Sequence, residues 1–136
     1  MILVDTSVWV DFLNSTHGPA GDELERLIGA NAPVVLAGLI LTEVLQGLKR
    51  YVEPVTKLLS RWPLIEPGGP PTYETAASII RQARSRGLTL TTVDAVLTAL
   101  ALEHNAAFFT LDRDFERLTF TGLRLHLGNR GRKEAV

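Results

Sequence analysis

The chain has 136 residues, of which 46% are hydrophobic and 21% charged, and a formal net charge of -1 at pH 7. That length fits one domain with a single continuous core, and so much apolar content with so little charge excludes a disordered chain. With no cysteine there is no disulfide scaffold, no cysteine zinc site and no thiol nucleophile, and the cytosol becomes the default compartment.

The first element is a buried strand, Ile2 to Val4, ending in Asp5. Thr6 or Ser7 then caps a helix through Leu13, with Val8/Phe12 and Trp9/Leu13 at i,i+4 spacing. Asn14 to Gly21 is a loop, and Asp22 to Ile28 a helix that is acidic in its first turn and closed by Gly29. Val34 to Ala37 is a second buried strand, and Leu39 to Arg50 a helix ending in Lys49 and Arg50. A helix starting near Pro54 runs to about Trp62, before Pro63, and Leu64 to Glu66 is a short strand.

After the turn-rich Pro67–Pro71 segment, Thr72 to Arg86 is a helix with Ala76, Ile79, Ile80 and Ala83 inward and Gly87 as its stop. Thr91 or Thr92 caps a helix through about Glu103, and Ala106 to Thr110 is an apolar strand. Asp112 to Leu118 is a short helix, Leu123 to Leu127 a last alternating strand, and the tail from Gly128 is polar, basic and frayed. Short apolar strands alternating with amphipathic helices predict an α/β fold, a mainly parallel sheet covered on both faces. One domain over residues 1–127 and a tail over 128–136 are expected. The longest apolar run, Val34 to Leu41, is far below the roughly 18 residues of a membrane span. Asp5 interrupts the apolar start and no basic stretch precedes it, which argues against a signal peptide. The expected protein is soluble and cytoplasmic.

Ligands of open parallel sheets collect beyond the carboxyl ends of the strands. Asp5 closes the first strand there, and Asp112 and Asp114 follow the Ala106–Thr110 strand. Glu43 and Asp94 each sit inside otherwise apolar helical stretches, where a charge is expensive to bury unless it is paired or ligates a metal. Each acid also has a plain structural reading. Asp5, Asp112 and Asp114 could cap helices, Glu43 could face solvent, and Asp94 could complement a helix N-terminus. Taken together, five acids with only Lys49, Lys57 and Lys133 as lysines point to a shared cation of the oxygen-loving kind, Mg²⁺ or Mn²⁺. Setting those five aside leaves 10 acidic against 14 basic residues, so a polyanionic substrate is compatible with the charge.

The segments Ile-Leu-Val-Asp5-Thr-Ser, Leu-Thr-Glu43-Val-Leu-Gln-Gly, Thr-Thr-Val-Asp94-Ala-Val-Leu-Thr-Ala-Leu-Ala and Phe-Phe-Thr-Leu-Asp112-Arg-Asp114-Phe occur in this order. Together they resemble the PIN domain, and more narrowly the VapC-type ribonuclease toxins of toxin–antitoxin pairs, over residues 1 to about 127. No one segment is specific; the ordered set is. The resemblance implies a three-layer α/β/α sandwich in which Asp5, Glu43, Asp94 and Asp112 bind one or two divalent ions. Asp114 would join directly or through a water. It implies metal-dependent endonucleolytic hydrolysis of RNA to a 5′-phosphate and a 3′-hydroxyl, with Mg²⁺ as cofactor and Mn²⁺ as the alternative. The partners it implies are RNA, a VapB-like antitoxin whose C-terminal segment enters a groove between the early helices, and a second copy in a homodimer.

Around the acids, Thr6, Ser7 and Thr110 are candidates to hold metal waters or orient carboxylates, with helix capping as the plainer role of Thr6. Arg113, beside Asp112, is the first candidate for substrate phosphate. Arg81, Arg84, Arg86, Arg117, Arg130, Arg132 and Lys133 read mainly as solubilising charge. Asp11 reads as a solvated helix residue, and His17, His104 and His126 share no motif with a partner. Two further readings stand beside the toxin: a PIN nuclease for RNA processing without an antitoxin, and a PIN fold that binds without cutting. A receiver-like phospho-switch fits poorly, because it wants a lysine after a late strand.

Overall fold

The computed structural model describes residues 1–128; the basic tail residues Arg130, Arg132 and Lys133 lie outside the described residues. Four strands, β1 (Ile2–Val4), β2 (Val34–Ala37), β3 (Leu64–Ile65) and β4 (Ala107–Phe109), form one sheet in the order β3-β2-β1-β4. All pairings are parallel, with Leu3 opposite Val35 on one side and Phe108 on the other. Six helices connect them: α1 (Thr6–Leu13), α2 (Pro19–Gly29), α3 (Gly38–Gln46), α4 (Val52–Leu59), α5 (Pro70–Ser85) and α6 (Thr92–Glu103). A 3₁₀ helix, Arg113–Thr121, follows β4.

Every residue of β2 is buried. Successive strand side chains point to opposite faces, so both faces of the sheet are covered, as the α/β reading requires. The main core joins the strands to Val8 and Trp9 of α1, Leu24 and Leu27 of α2, Ile40 and Val44 of α3 and Leu97 and Leu100 of α6. Trp9 stacks at a tilt on Trp62, with ring centroids 5.0 Å apart. A second small cluster, Ala76, Ile79, Ala95 and Ala99, lies between α5 and α6, where small side chains let the helices approach. No helix among the described residues is long and apolar enough to cross a membrane.

Several boundaries differ from the sequence reading, each for a local reason. α2 starts at Pro19 rather than Asp22, because Pro suits the first helical turn and the Asp11 carboxylate caps it from α1. Asp11 Oδ1 accepts from Gly18 N at 3.0 Å and Oδ2 from Gly21 N at 2.6 Å, so Asp11 joins two helices rather than facing solvent. α3 stops at Gln46, and Tyr51 adopts a left-handed conformation (φ 64°) at the start of α4, so Lys49 and Arg50 lie between helices. The last expected strand is reduced to one parallel bridge, Phe108 with Leu125. The 3₁₀ helix runs on to Thr121, and Gly122 reverses the chain at φ 92°, leaving little length for a strand.

A buried acid fastens this final segment. Glu23 is 1% exposed and accepts from Arg26 Nε at 2.7 Å and Nη2 at 2.8 Å, while His126 Nε2 lies 2.7 Å from its Oε2. Arg26 and, after it, His126 outweigh the desolvation of Glu23 and hold its carboxyl at about 2, below the ordinary 4.5. A depressed folded value means that the charged form stabilises the fold above about 4.5 and that this contribution is lost as pH falls toward about 2. Glu23→Gln should therefore be less stable than wild type at pH 7 and lose less stability on acidification through that window. Urea unfolding at a series of pH values checks it; parallel curves would remove Glu23 from the acid sensitivity of the fold.

Candidate functional site

The strand order places a topological switch between β1 and β4. From β1 the chain builds outward through β2 to β3, then crosses to the far side of β1 to add β4. Ligands of such sheets bind at that switch, beyond the carboxyl ends of the strands. Asp5 follows β1 there, and its N–H donates to Phe109 O at 2.8 Å, continuing the ladder one residue past the strand. Asp112 and Asp114 follow β4. α3 leaves the carboxyl end of β2, which brings Glu43 to the same rim. α6 precedes β4 and runs against it, so its first turn, with Asp94, returns to that rim as well.

The electrostatics agree with this placement. Burial raises the Asp5 carboxyl above its ordinary 3.8, against the hydrogen bonds from Thr110 and the Thr6 backbone, with the charges of Glu43 and Asp94 adding to the rise. Burial likewise raises Asp94, against its bond with Thr91, and Asp112, Glu43 and Asp114 push it further up. All five predicted acids thus act on one region. Asp5, Glu43 and Asp94 are part-buried, and Asp112 and Asp114 exposed.

Hydroxyl groups hold these acids in place. Thr110, 3% exposed, donates to Asp5 Oδ2 at 2.7 Å and accepts from Asp112 N at 3.0 Å, tying the ends of β1 and β4 together. Thr6 Oγ1 donates to Glu43 Oε1 at 2.8 Å, linking α1 to α3. Ser7 Oγ lies 3.5 Å from Asp5 Oδ2 and accepts from Leu111 N at 3.1 Å. Asp5 occupies the N-cap position of α1 but makes no side-chain cap bond, so capping does not account for it. Asp112 does cap, accepting from Asp114 N at 2.9 Å. Thr91 caps α6 by accepting from Asp94 N at 3.1 Å. Arg113 opens the 3₁₀ helix and is exposed.

The sequence reading left the histidines unpartnered, and none of the three is: His104 Nε2 lies 2.8 Å from Glu66 O. His126 meets Glu23, and His17 Nδ1 lies 3.6 Å from Asp22 and 3.5 Å from Glu25. Among the described residues, His17, Asp22 and Glu25 are the one trio whose ligand atoms come within 4.8 Å of one another. That trio combines a surface histidine with two exposed acids, an ordinary solvated pairing. Among the described residues, no three of the rim acids bring their oxygens within 4.8 Å of one another.

Residues 2–121 match the PIN domain. The chain belongs to the PIN-domain family. It is 32% identical over 120 residues to VapC ribonuclease Mb1587 of Mycobacterium bovis, a match covering 85% of this chain and 90% of that one. Ribonuclease VapC11 of Mycobacterium tuberculosis matches with the same identity and coverage. Among solved structures, VapBC2 of Rickettsia felis, bound to a promoter DNA fragment, has a TM-score of 0.73 at 22% identity, covering 93% of this chain and 98% of that one. FitAcB of Neisseria gonorrhoeae has a TM-score of 0.69 at 20% identity, covering 92% and 96%. These structures share the PIN fold described above.

The raised carboxyls have a direct consequence for the metal-free protein. A group whose folded value lies above its unfolded one stabilises the fold below the unfolded value, and that contribution is lost as pH rises through the folded value. Asp5 and Asp94 therefore cost stability near neutral pH. In EDTA at pH 7, Asp5→Asn should melt above wild type, with the advantage shrinking as pH falls and gone below about 3.8. Equal melting temperatures across that range would mean that Asp5 is not under electrostatic strain.

Proposed function

We propose that this chain is a divalent-metal-dependent endoribonuclease, the VapC-like toxin of a toxin–antitoxin pair. The observation that carries the proposal is the convergence of five carboxylates on the switch between β1 and β4, with Asp5 and Asp94 disfavoured as anions by burial and by their neighbours. A donor set made only of carboxylate oxygens, with no histidine or cysteine, fits Mg²⁺ or Mn²⁺. Excess negative charge at a part-buried rim fits a cation of charge two. The ribonuclease names of the relatives at 32% identity support the RNA chemistry.

On this reading Asp5, Glu43, Asp94 and Asp112 hold the ion, with Asp114 at its edge directly or through a water. When bound, such an ion generates a nucleophilic water near neutral pH and stabilises charge on the phosphodiester oxygens. The chain supplies the fixed geometry. Thr110 holds Asp5 by one oxygen and Thr6 holds Glu43 by one oxygen, so neither carboxylate is free to rotate. These threonines are positioning residues, the role that oriented hydroxyls commonly play behind a metal ligand. No histidine stands among the rim acids, so general-base chemistry falls to the carboxylates and to water. The expected products are a 5′-phosphate and a 3′-hydroxyl.

The partners on this reading are RNA, a VapB-like antitoxin and a second copy of the chain. Exposed Leu39 and Tyr73, beside a groove of about 470 Å³ walled by Ile65, Val93, Val96 and Leu100, offer apolar surface of the kind protein partners cover.

Cleavage of total cellular RNA by the purified, antitoxin-free protein tests the proposal. Wild type should give discrete fragments with Mg²⁺ or Mn²⁺ and none in EDTA, and Asp94→Asn should lose activity by at least a hundredfold while staying folded. A folded, inhibitor-free wild type that leaves RNA intact with either metal would overturn the nuclease reading.

A further inference from the structure

Beside the acidic rim lies a second recess of about 280 Å³, lined by Gly87, Leu88, Thr89, Leu90, Asp114, Arg117 and Leu118. Leu88, Leu90 and Leu118 also pack against the core. The floor of the recess is the loop between α5 and α6, which Gly87 turns back on itself at φ 75°. The N–H groups of Gly87 and Leu88 are used within that turn, donating to Arg84 O and Ala83 O. Those of Thr89 and Leu90 donate to no acceptor among the described residues.

Arg117 is the distinctive member of this lining. It is exposed and makes no ion pair or hydrogen bond among the described residues. Nearby cations are committed elsewhere: Arg86 lies 4.0 Å over the Phe120 ring, and Arg124 donates to Asn105. Arg117 and the loop that carries these two N–H groups line the same recess, and both donor types favour the oxygens of a phosphate. The shared Asp114 makes this recess continuous with the carboxylate rim.

We propose that this recess holds a backbone phosphate of the RNA flanking the cleaved bond, with Arg117 as the contacting cation. The polyanion's identity rests on the ribonuclease reading; the anion seat itself rests on the recess, Arg117 and the loop N–H groups. Arg117 thereby joins Arg113, the sequence reading's first candidate for substrate phosphate. A guanidinium at a phosphate contributes through charge and through its planar fork, which a lysine reproduces only in part.

The test measures binding of a labelled single-stranded RNA in Ca²⁺ across a salt series, with cleavage in Mg²⁺ followed in parallel. Arg117→Ala should weaken binding about threefold to tenfold near 0.1 M salt and make the slope of log Kd against log salt shallower by about 0.7, one single-strand phosphate contact. Arg117→Lys should restore the slope but only part of the affinity. Arg61→Ala, which removes one exposed cation remote from the recess, should leave the slope unchanged. An Arg117→Ala slope equal to wild type, an equal change in Arg61→Ala, or no RNA binding by wild type would each overturn the site. Normal slopes changes with no cleavage in Mg²⁺ would leave the phosphate seat standing and sink the nuclease reading alone.

Discussion

Asp5 stands one residue past the central strand, and its backbone N–H still donates to Phe109 of β4. Its carboxylate accepts from Thr110, whose hydroxyl in turn receives the N–H of Asp112. This chain of bonds locks an acid into the junction of β1 and β4 while burial and two neighbouring acids oppose its charge. The remainder of the rim follows from it. α3 and α6 reach the same edge because a parallel sheet returns every connection to the carboxyl ends of its strands, and Glu43 and Asp94 come with them.

Two carboxylates in this chain, buried Glu23 and part-buried Asp5, show opposite electrostatic solutions. Glu23 is enclosed with a bidentate Arg26 and with His126, and its charge is held far below the ordinary range. Asp5 has hydroxyl and backbone donors but no cationic partner among the described residues, and its carboxyl is raised. The first arrangement is a structural clasp between α2 and the segment after β4. The second leaves negative charge in need of a counterion, which is what a site for a divalent cation and a phosphodiester requires. Helix N-termini soften the cost, since α1 begins directly after Asp5 and Asp94 sits in the first turn of α6.

Much of this was legible in the sequence. The apolar runs at Ile2–Val4, Val34–Ala37 and Ala107–Phe109 are strands, and acids directly after the first and last of them predict a shared rim. Glu43 and Asp94 stand out because charge interrupts apolar helical stretches. What could not be read depended on contacts distant in sequence. Asp11 is a cap for α2, through a fold-back that periodicity does not encode, and Glu23 with His126 spans 103 positions. The alternating Leu123–Leu127 segment has strand chemistry, yet a 3₁₀ helix and a left-handed Gly122 leave it one bridge. Thr6 illustrates the same limit: it looks like a cap, and its hydroxyl instead holds Glu43 across 37 positions.

The central claim is that the strained carboxylates at the β1–β4 switch exist to hold a divalent cation. Calorimetric titration of the metal-free protein with Mn²⁺ addresses it without depending on any RNA. The account predicts saturable binding that weakens on acidification, a raised melting temperature, and loss of both in Asp5→Asn. Binding that survives unchanged in Asp5→Asn, or no binding by folded wild type, would contradict it.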